Sequence, residues 1–353
     1  MAAWDKYRDN IHSKWQHKWF ENHPHDVAQY SWDYLFTGGK EIRAKLFCEL
    51  WQYLSPDSEI IAELAFAIEC IHVASIILDD TPWMDNAQER RGKKALHIVY
   101  SPKKALIFAN DVIAIAVDIW KNNQPTHIPE QIWRNLLISK LQRLTMGQWF
   151  DLEKKGNLIE LASLKTGVLF ELVTETVAVC IELDSNFWKL WGNNLGILFQ
   201  WMDDYLDMEE DKLQENRNAF NEAYDITKQN YIFLWQKLEK QIGAQWFQRN
   251  FGQFMKSYFL DKLSINIDTI QYNSLSDINI TYPEGLIIPE LISNEENKED
   301  YNYFKHFISG LNRQNIVKRI FKMSENIFSF SISKDNKVWG MTEEELELLE
   351  QKY

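Results

Sequence analysis

Apolar residues recur at intervals of three and four through most of the first 260 positions, as in Leu46, Leu50, Tyr53 and Leu54, or Leu195, Leu198, Phe199 and Met202. That period lays one apolar stripe along a helix, so the pattern predicts helices over 40–54, 59–78, 105–121, 131–154, 158–183, 187–208 and 219–241. No convincing period-two alternation interrupts them. Several segments are apolar on more than one face, which places them inside a bundle. Beyond 260 the pattern breaks. The stretch 262–302 is rich in Asn, Ile, Ser and Asp and carries Pro283, Gly285 and Pro289, so a loop or a few short strands are expected. Helical signals return over 301–322, and Thr342 before Glu343, Glu344 and Glu345 reads as a capped helix start. The expected organisation is an all-α domain over 1–261 and an extension over 262–353, loop-rich and then helical, of unassigned role.

Composition agrees with long helices. The 353 residues include 13 Gly and 8 Pro, about half the average share, and 15 Trp, a surplus for which the sequence offers no account. Net charge is −13, which disfavours nucleic acid as a partner while leaving room for anionic small molecules held by a few placed cations or metal ions. Cys48, Cys70 and Cys180 are odd in number and sit in apolar surroundings, so they read as reduced packing residues. Residues 1–10 carry Asp5, Lys6, Arg8 and Asp9 in place of the apolar core of a signal peptide. No run of 18 apolar residues predicts a membrane span. A soluble, cytoplasmic protein is expected.

Two acidic clusters carry the chemistry: Asp79, Asp80 and Asp85, and Asp203, Asp204 and Asp207. Each follows an apolar helical run. On a helix Asp203 and Asp207 share a face with Asp204 a quarter turn away, whereas Pro82 forces a loop to bring Asp85 back towards Asp79. Carboxylates at a helix C-terminus repel one another and meet the negative end of the macrodipole. Something positive must compensate, and magnesium, which prefers carboxylate oxygens and bridges to phosphates, suits a diphosphate held between the clusters. Cations stand nearby in Gly38-Gly39-Lys40-Glu41-Ile42-Arg43 and Arg90-Arg91-Gly92-Lys93. The glycines admit close backbone approach to an anion, and the lysine and arginines supply charge and bidentate donors.

Taken together these motifs resemble those of the trans-isoprenyl diphosphate synthases, the polyprenyl synthetase family that includes farnesyl and geranylgeranyl diphosphate synthases. Asp79 to Lys93, DDTPWMDNAQERRGK, is similar to the first aspartate-rich motif in the variant with four residues between the acids, and Gln200 to Asp207, QWMDDYLD, is similar to the second. Gly38 to Arg43, His72, Gly147-Gln148 with Asp151, and Lys165-Thr166-Gly167 match further family positions in order. The resemblance implies an all-α isoprenoid-synthase-type bundle of about ten or more helices around a central cavity, and a homodimer. It implies magnesium-dependent head-to-tail condensation of isopentenyl diphosphate with dimethylallyl, geranyl or farnesyl diphosphate.

Residue by residue, the resemblance implies that Asp79, Asp80, Asp85, Asp203, Asp204 and Asp207 hold about three Mg²⁺ on the allylic diphosphate, with Arg90, Lys165, Lys228 and Arg217 on its oxygens. Isopentenyl diphosphate falls to Gly39, Lys40, Arg43, His72 and Arg91. Thr166 and Gln200 face the allylic cation, and Gln148 and Asp151 support the wall. Asp79, Asp80, Asp203, Lys165, Thr166 and Gln200 form the catalytic set. Departures are Ala44 and Lys94 where the family has proline, Ala87 and Gln88 where acids are usual, and Arg217 where a lysine is common. Ala74 and Ser75, five and four residues before the first motif, are small, which implies a tunnel open to C20 or C25 products; Ile115, Ile119 and Trp120 are candidates for its floor. A class I terpene cyclase on the same fold and a non-catalytic regulatory subunit are the alternatives.

Overall fold

The computed structural model describes residues 3–154, 157–214 and 217–252. The expected boundary after 261, the extension 262–353 and the helix start at Thr342 lie outside the described residues. Helices dominate what is described. In chain order they are α1 (Asp5–Asn22), α2 (His25–Phe36), α3 (Ile42–Leu54), α4 (Ala62–Asp79), α5 (Leu96–Val99), α6 (Pro102–Asn122), α7 (Glu130–Leu152), α8 (Leu158–Ala162), α9 (Val168–Cys180), α10 (Ser185–Leu206), α11 (Met208–Gln214), α12 (Ala219–Ile242) and α13 (Ala244–Phe247). None is long and apolar enough to cross a membrane.

The centre of the bundle is α4, α9 and α10. Buried residues occur on all sides of α4 and α9, as their nearly continuous apolar sequences require, and α10 runs along α9 while α6 runs along α4. The α9–α10 contact is close because α10 offers Gly192 and Gly196 to it. A β-carbon on Gly196 would stand 2.5 Å from Gly167 Cα, so no larger residue fits without moving a helix.

Periodicity did not delineate α1 and α2. Helix α1 is polar almost throughout and buries Ile11, Trp15 and Trp19, one residue per turn, which is too thin a stripe to stand out among its lysines and histidines. Those positions explain part of the tryptophan surplus. Trp4, Trp15, Trp19 and Trp32 are buried around His12 and Phe66, and each large ring removes about 150–250 Å² from water, so a mostly polar helix is pinned by few residues. Elsewhere Trp120 and Trp133 stack at 4.5 Å and donate to each other's backbone carbonyls at 3.0 and 2.7 Å, fastening α6 to α7.

Two local features also depart from the periodic reading. The segment predicted as one helix over 158–183 is interrupted by a π turn at Ser163–Gly167. A two-stranded hairpin, β1 (Glu89–Arg90) with β2 (Lys93–Lys94), closes through Arg91 and Gly92, both at positive φ, as a hairpin turn of the primed type requires.

Candidate active site

The C-terminal ends of α4 and α10 and the loop before α3 meet at two adjoining clefts. The first, of about 270 Å³, is lined by Gly38, Gly39, Lys40, Arg43, His72 and Arg91, with His12, Phe36, Glu41, Phe66 and Glu69 among its other walls. Glu69, one turn before His72 on α4, accepts from the backbone N–H groups of Arg43 and Ala44 at 2.9 and 3.0 Å. It caps α3 from another helix, which fixes where Lys40 and Arg43 leave the backbone. Ala44, in the position of a family proline, uses its N–H for that cap. Burial raises the Glu69 carboxyl, against the pull of the Arg43 guanidinium. Arg43 also lies over the Phe170 ring at 5.0 Å. Gly39 has no side chain where a β-carbon would meet Arg91 Nη1 at 2.8 Å, so this glycine lets the arginine close on the loop. Burial and the guanidinium groups of Arg43, Arg91 and Arg90 hold His72 well below the usual imidazole range, leaving it neutral.

The second cleft, of about 360 Å³, is lined by Asp85, Gln148, Asp151, Lys154, Lys165, Gln200, Asp203, Asp204, Asp207, Asp211 and Arg217 together with apolar residues of α7 and α8. At its edge the chain turns back after α4. Asp85 N–H donates to Asp79 C=O at 2.9 Å, and Thr81 closes the turn through Leu78 and Asn86. Asp79 and Asp85 thus come together by a loop, as the intervening proline demands. Asp80 is buried between Arg90 and the Tyr34 hydroxyl.

From α10, Asp203 and Asp207 open onto the cleft, while Asp204 turns into the helix junction. Its carboxylate accepts from Gln200 Nε2 at 2.8 Å and from the Ala219 backbone N–H at 3.0 Å. Burial and mutual repulsion push Asp203 to about 6, and burial raises Asp79 and Asp204 to about 6. Among the described residues, no three His, Cys, Asp or Glu side chains stand close enough to grip a metal ion unaided. The donor set nevertheless fits a hard divalent cation. Six carboxylates line the cleft against the three cations Lys154, Lys165 and Arg217, and burial raises Asp85, Asp203 and Asp204 among them.

Lys165 enters this cleft from the π turn, and Thr166 of the same turn reaches the cleft residue Gln200. Lys165 bonds to Asp151, and Thr166 donates to Gln200, which donates in turn to Asp204. The turn is held from behind by Asn193, whose amide exchanges bonds with the Ser163 hydroxyl at 2.9 Å and carbonyl at 3.4 Å. Asn193 also donates to Glu171 at 3.0 Å, and buried Glu171 is neutralised by Lys140 and Arg143. An extra residue in the turn rotates the chain, so that Lys165 and Thr166 both reach the site.

Arg217 lines the second cleft and pairs with Glu222 at 3.2 Å, while Lys228 lies further along α12 and lines neither cleft. Between them α12 breaks its helical dihedrals at Ala223, so lysine spacing along the chain does not translate into spacing in the site. Gln148 reaches Met84 of the first acidic loop at 2.8 Å. Ala74 is buried and Ser75 half-buried on α4; Ile119 and Trp120 are buried on α6 and Ile115 is half-buried. Tyr34, Glu69, Lys154, Asn193 and Asn218 belong to the site's framework and escaped sequence reasoning, because single polar residues carry no motif. Asn218, for example, caps α12 and bonds to the Asp204 carbonyl and to Asp211 at 2.7 Å.

The family model described as polyprenyl synthetase matches residues 25–245. A farnesyl diphosphate synthase of Buchnera aphidicola subsp. Acyrthosiphon pisum is 28% identical over 242 residues, covering 64% of this chain and 81% of the relative. A geranylgeranyl diphosphate synthase of Cyanophora paradoxa is 31% identical over 208 residues, covering 54% of this chain and 67% of that one. Among solved structures, a geranyltranstransferase from Thermotoga maritima superposes with a TM-score of 0.60 at 22% identity, over 76% of this chain and 99% of its own, which shows the shared fold.

Proposed function

The chain belongs to the polyprenyl synthetase family, and from that premise we propose that it condenses isopentenyl diphosphate with an allylic diphosphate to give a trans-prenyl diphosphate of C20 or C25. It is a transferase of the prenyl diphosphate synthase type. One observation supports the two-substrate reading above all: the cation-rich and acid-rich clefts adjoin, with Asp203 within electrostatic reach of Lys40 and Arg43. A cyclase acting on one diphosphate has no use for the first cleft.

In this reading Lys40, Arg43, Arg91 and neutral His72 hold isopentenyl diphosphate beside the Gly38-Gly39 backbone. Arg90, Lys165 and Arg217 take the allylic diphosphate, whereas Lys228, expected on it from the resemblance, lines neither cleft. Asp79, Asp80, Asp85, Asp203, Asp204 and Asp207 would hold about three Mg²⁺, which supply positive charge to a leaving diphosphate. Cationic side chains draw the allylic C–O electron pair onto the diphosphate, and Thr166 and Gln200 present their dipoles to the carbon that becomes electron-poor. The C4 alkene of isopentenyl diphosphate then bonds to that carbon. A proton leaves C2 to the released diphosphate and restores a double bond. The two clefts fix the substrates head to tail, which replaces a bimolecular encounter by an oriented one.

Small residues at Ala74 and Ser75 support a product longer than C15, and a homodimer is proposed on the family resemblance. Incubation with Mg²⁺, isopentenyl diphosphate and each allylic primer, followed by chain-length analysis, tests the proposal. Product formed without isopentenyl diphosphate would favour a cyclase, and activity only with a partner chain would favour a regulatory subunit.

A further inference from the structure

Glu41 is out of place where it stands. It follows Lys40 in the wall of a cleft whose other charged groups, apart from Glu69 capping α3, are Lys40, Arg43 and Arg91. A carboxylate free to swing there would oppose any diphosphate. Helix α1 and the residue before it prevent that. Trp4 Nε1 donates to Glu41 Oε2 at 3.1 Å, His12 Nε2 stands 3.1 Å from Oε1, and Arg8 Nη1 lies 4.0 Å from Oε2. Burial disfavours the ionised Glu41, but the hydrogen bonds from His12 and Trp4 and the charges of His12 and Arg8 outweigh it, so the carboxyl lies below its usual range.

The clamp is rigid. The His12 ring packs among Trp4, Trp32, Phe36 and Phe66 at centroid distances of 5.3–6.3 Å, and it also lines the cleft. Glu41 itself is left-handed at φ 48, a conformation a glutamate keeps only when its surroundings impose it. That backbone kink turns the chain from Gly38-Gly39 into α3.

We propose that His12, with Trp4 and Arg8, is a positioning residue for the second substrate: it draws Glu41 back, offsets its charge and sets the Gly38–Arg43 loop so that Lys40 and Arg43 face a homoallylic diphosphate. The inference rests on the reading of this cleft as the isopentenyl diphosphate site.

The test uses the full chain and His12→Phe, which keeps an aromatic wall and removes the bond to Glu41. Binding of isopentenyl diphosphate is measured by calorimetry, and KM for each substrate by steady-state kinetics. The expected result is a roughly ten-fold weaker binding and higher KM for isopentenyl diphosphate, with the allylic KM within about two-fold of wild type. Adding Glu41→Gln should recover most of the loss, because the charge that His12 restrains is then gone. Trp4→Phe should show the same pattern and serves if His12→Phe folds poorly. Unchanged isopentenyl diphosphate binding in both variants, or a loss shared by both substrates and not rescued by Glu41→Gln, overturns the inference alone. Wild-type protein that does not bind isopentenyl diphosphate overturns the site reading with it.

Discussion

Arg90 and Asp80 hold one another across the mouth of the site: Arg90 Nε and Nη2 both donate to Asp80 Oδ1, at 2.9 and 2.5 Å, while Tyr34 donates to Oδ2. Asp80 is buried and Arg90 is not, so the fixed partner is the acid and the guanidinium is the group it aims. The hairpin then turns Arg91, the next residue, towards Gly39. Of the adjacent arginines, Arg91 lines the first cleft and Arg90 is bound to Asp80 of the first acidic loop. Replacing Arg90 by lysine keeps the charge and loses the fork, so kcat/KM for the allylic substrate should fall about 100-fold with the KM for isopentenyl diphosphate nearly unchanged. Steady-state kinetics with each substrate varied in turn checks this.

Asp79→Ala and Asp203→Ala are each expected to lower turnover by about 10³-fold or more at saturating Mg²⁺, since each removes a carboxylate from one side of the proposed metal site. Near-normal rates in either variant would remove that residue from the ligand set.

Metal should also show in stability. Burial raises Asp79, Asp203 and Asp204 from 3.8 to about 6. A carboxyl raised in the folded state favours folding while protonated, so its contribution is full below the unfolded value and is lost as pH rises through about 6. Without divalent metal, the melting temperature of wild type should therefore fall relative to Asp203→Asn between pH 4 and pH 7. Millimolar Mg²⁺ at pH 7 should raise wild type more than the variant. Thermal melts in EDTA and in Mg²⁺ measure both effects.

Ala74→Phe places an aromatic ring on the face of α4 below the first acidic loop, where Ala74 is buried. The product should shorten to C15, read by chromatography of the dephosphorylated alcohols. An unchanged product length would move the proposed tunnel elsewhere.

Gly196→Ala would force α10 away from the π turn, because its β-carbon would stand 2.5 Å from Gly167 Cα. A loss of about 1–3 kcal/mol in unfolding free energy is expected by overpacking. A fall in kcat should accompany it as Lys165 and Thr166 shift. Denaturant unfolding and single-turnover rates separate the two.

The central helices were legible in the sequence because burying an apolar stripe imposes a period, and α4, α6, α7, α10 and the end of α3 lie close to where that period puts them. Acidic and basic motifs were legible for a different reason: each is a short local run whose charges cannot be buried alone. The polar helix α1, by contrast, is fixed by a few tryptophans whose partners lie on other helices, and no local period announces such an arrangement. The π turn is likewise a tertiary outcome, set by Asn193 from α10 and by glycines that admit close helix approach.

The sequence by itself determined that acids and cations would gather at helix ends and that a bundle would carry them. Only the tertiary structure decided which acid faces which base. Asp80 goes to Arg90, Asp204 turns into the α12 junction, Glu69 caps α3 and Glu41 is drawn to α1. Charge pairing acts over a few ångströms in space, and residues 10 to 37 apart in the chain become neighbours only once the helices have packed.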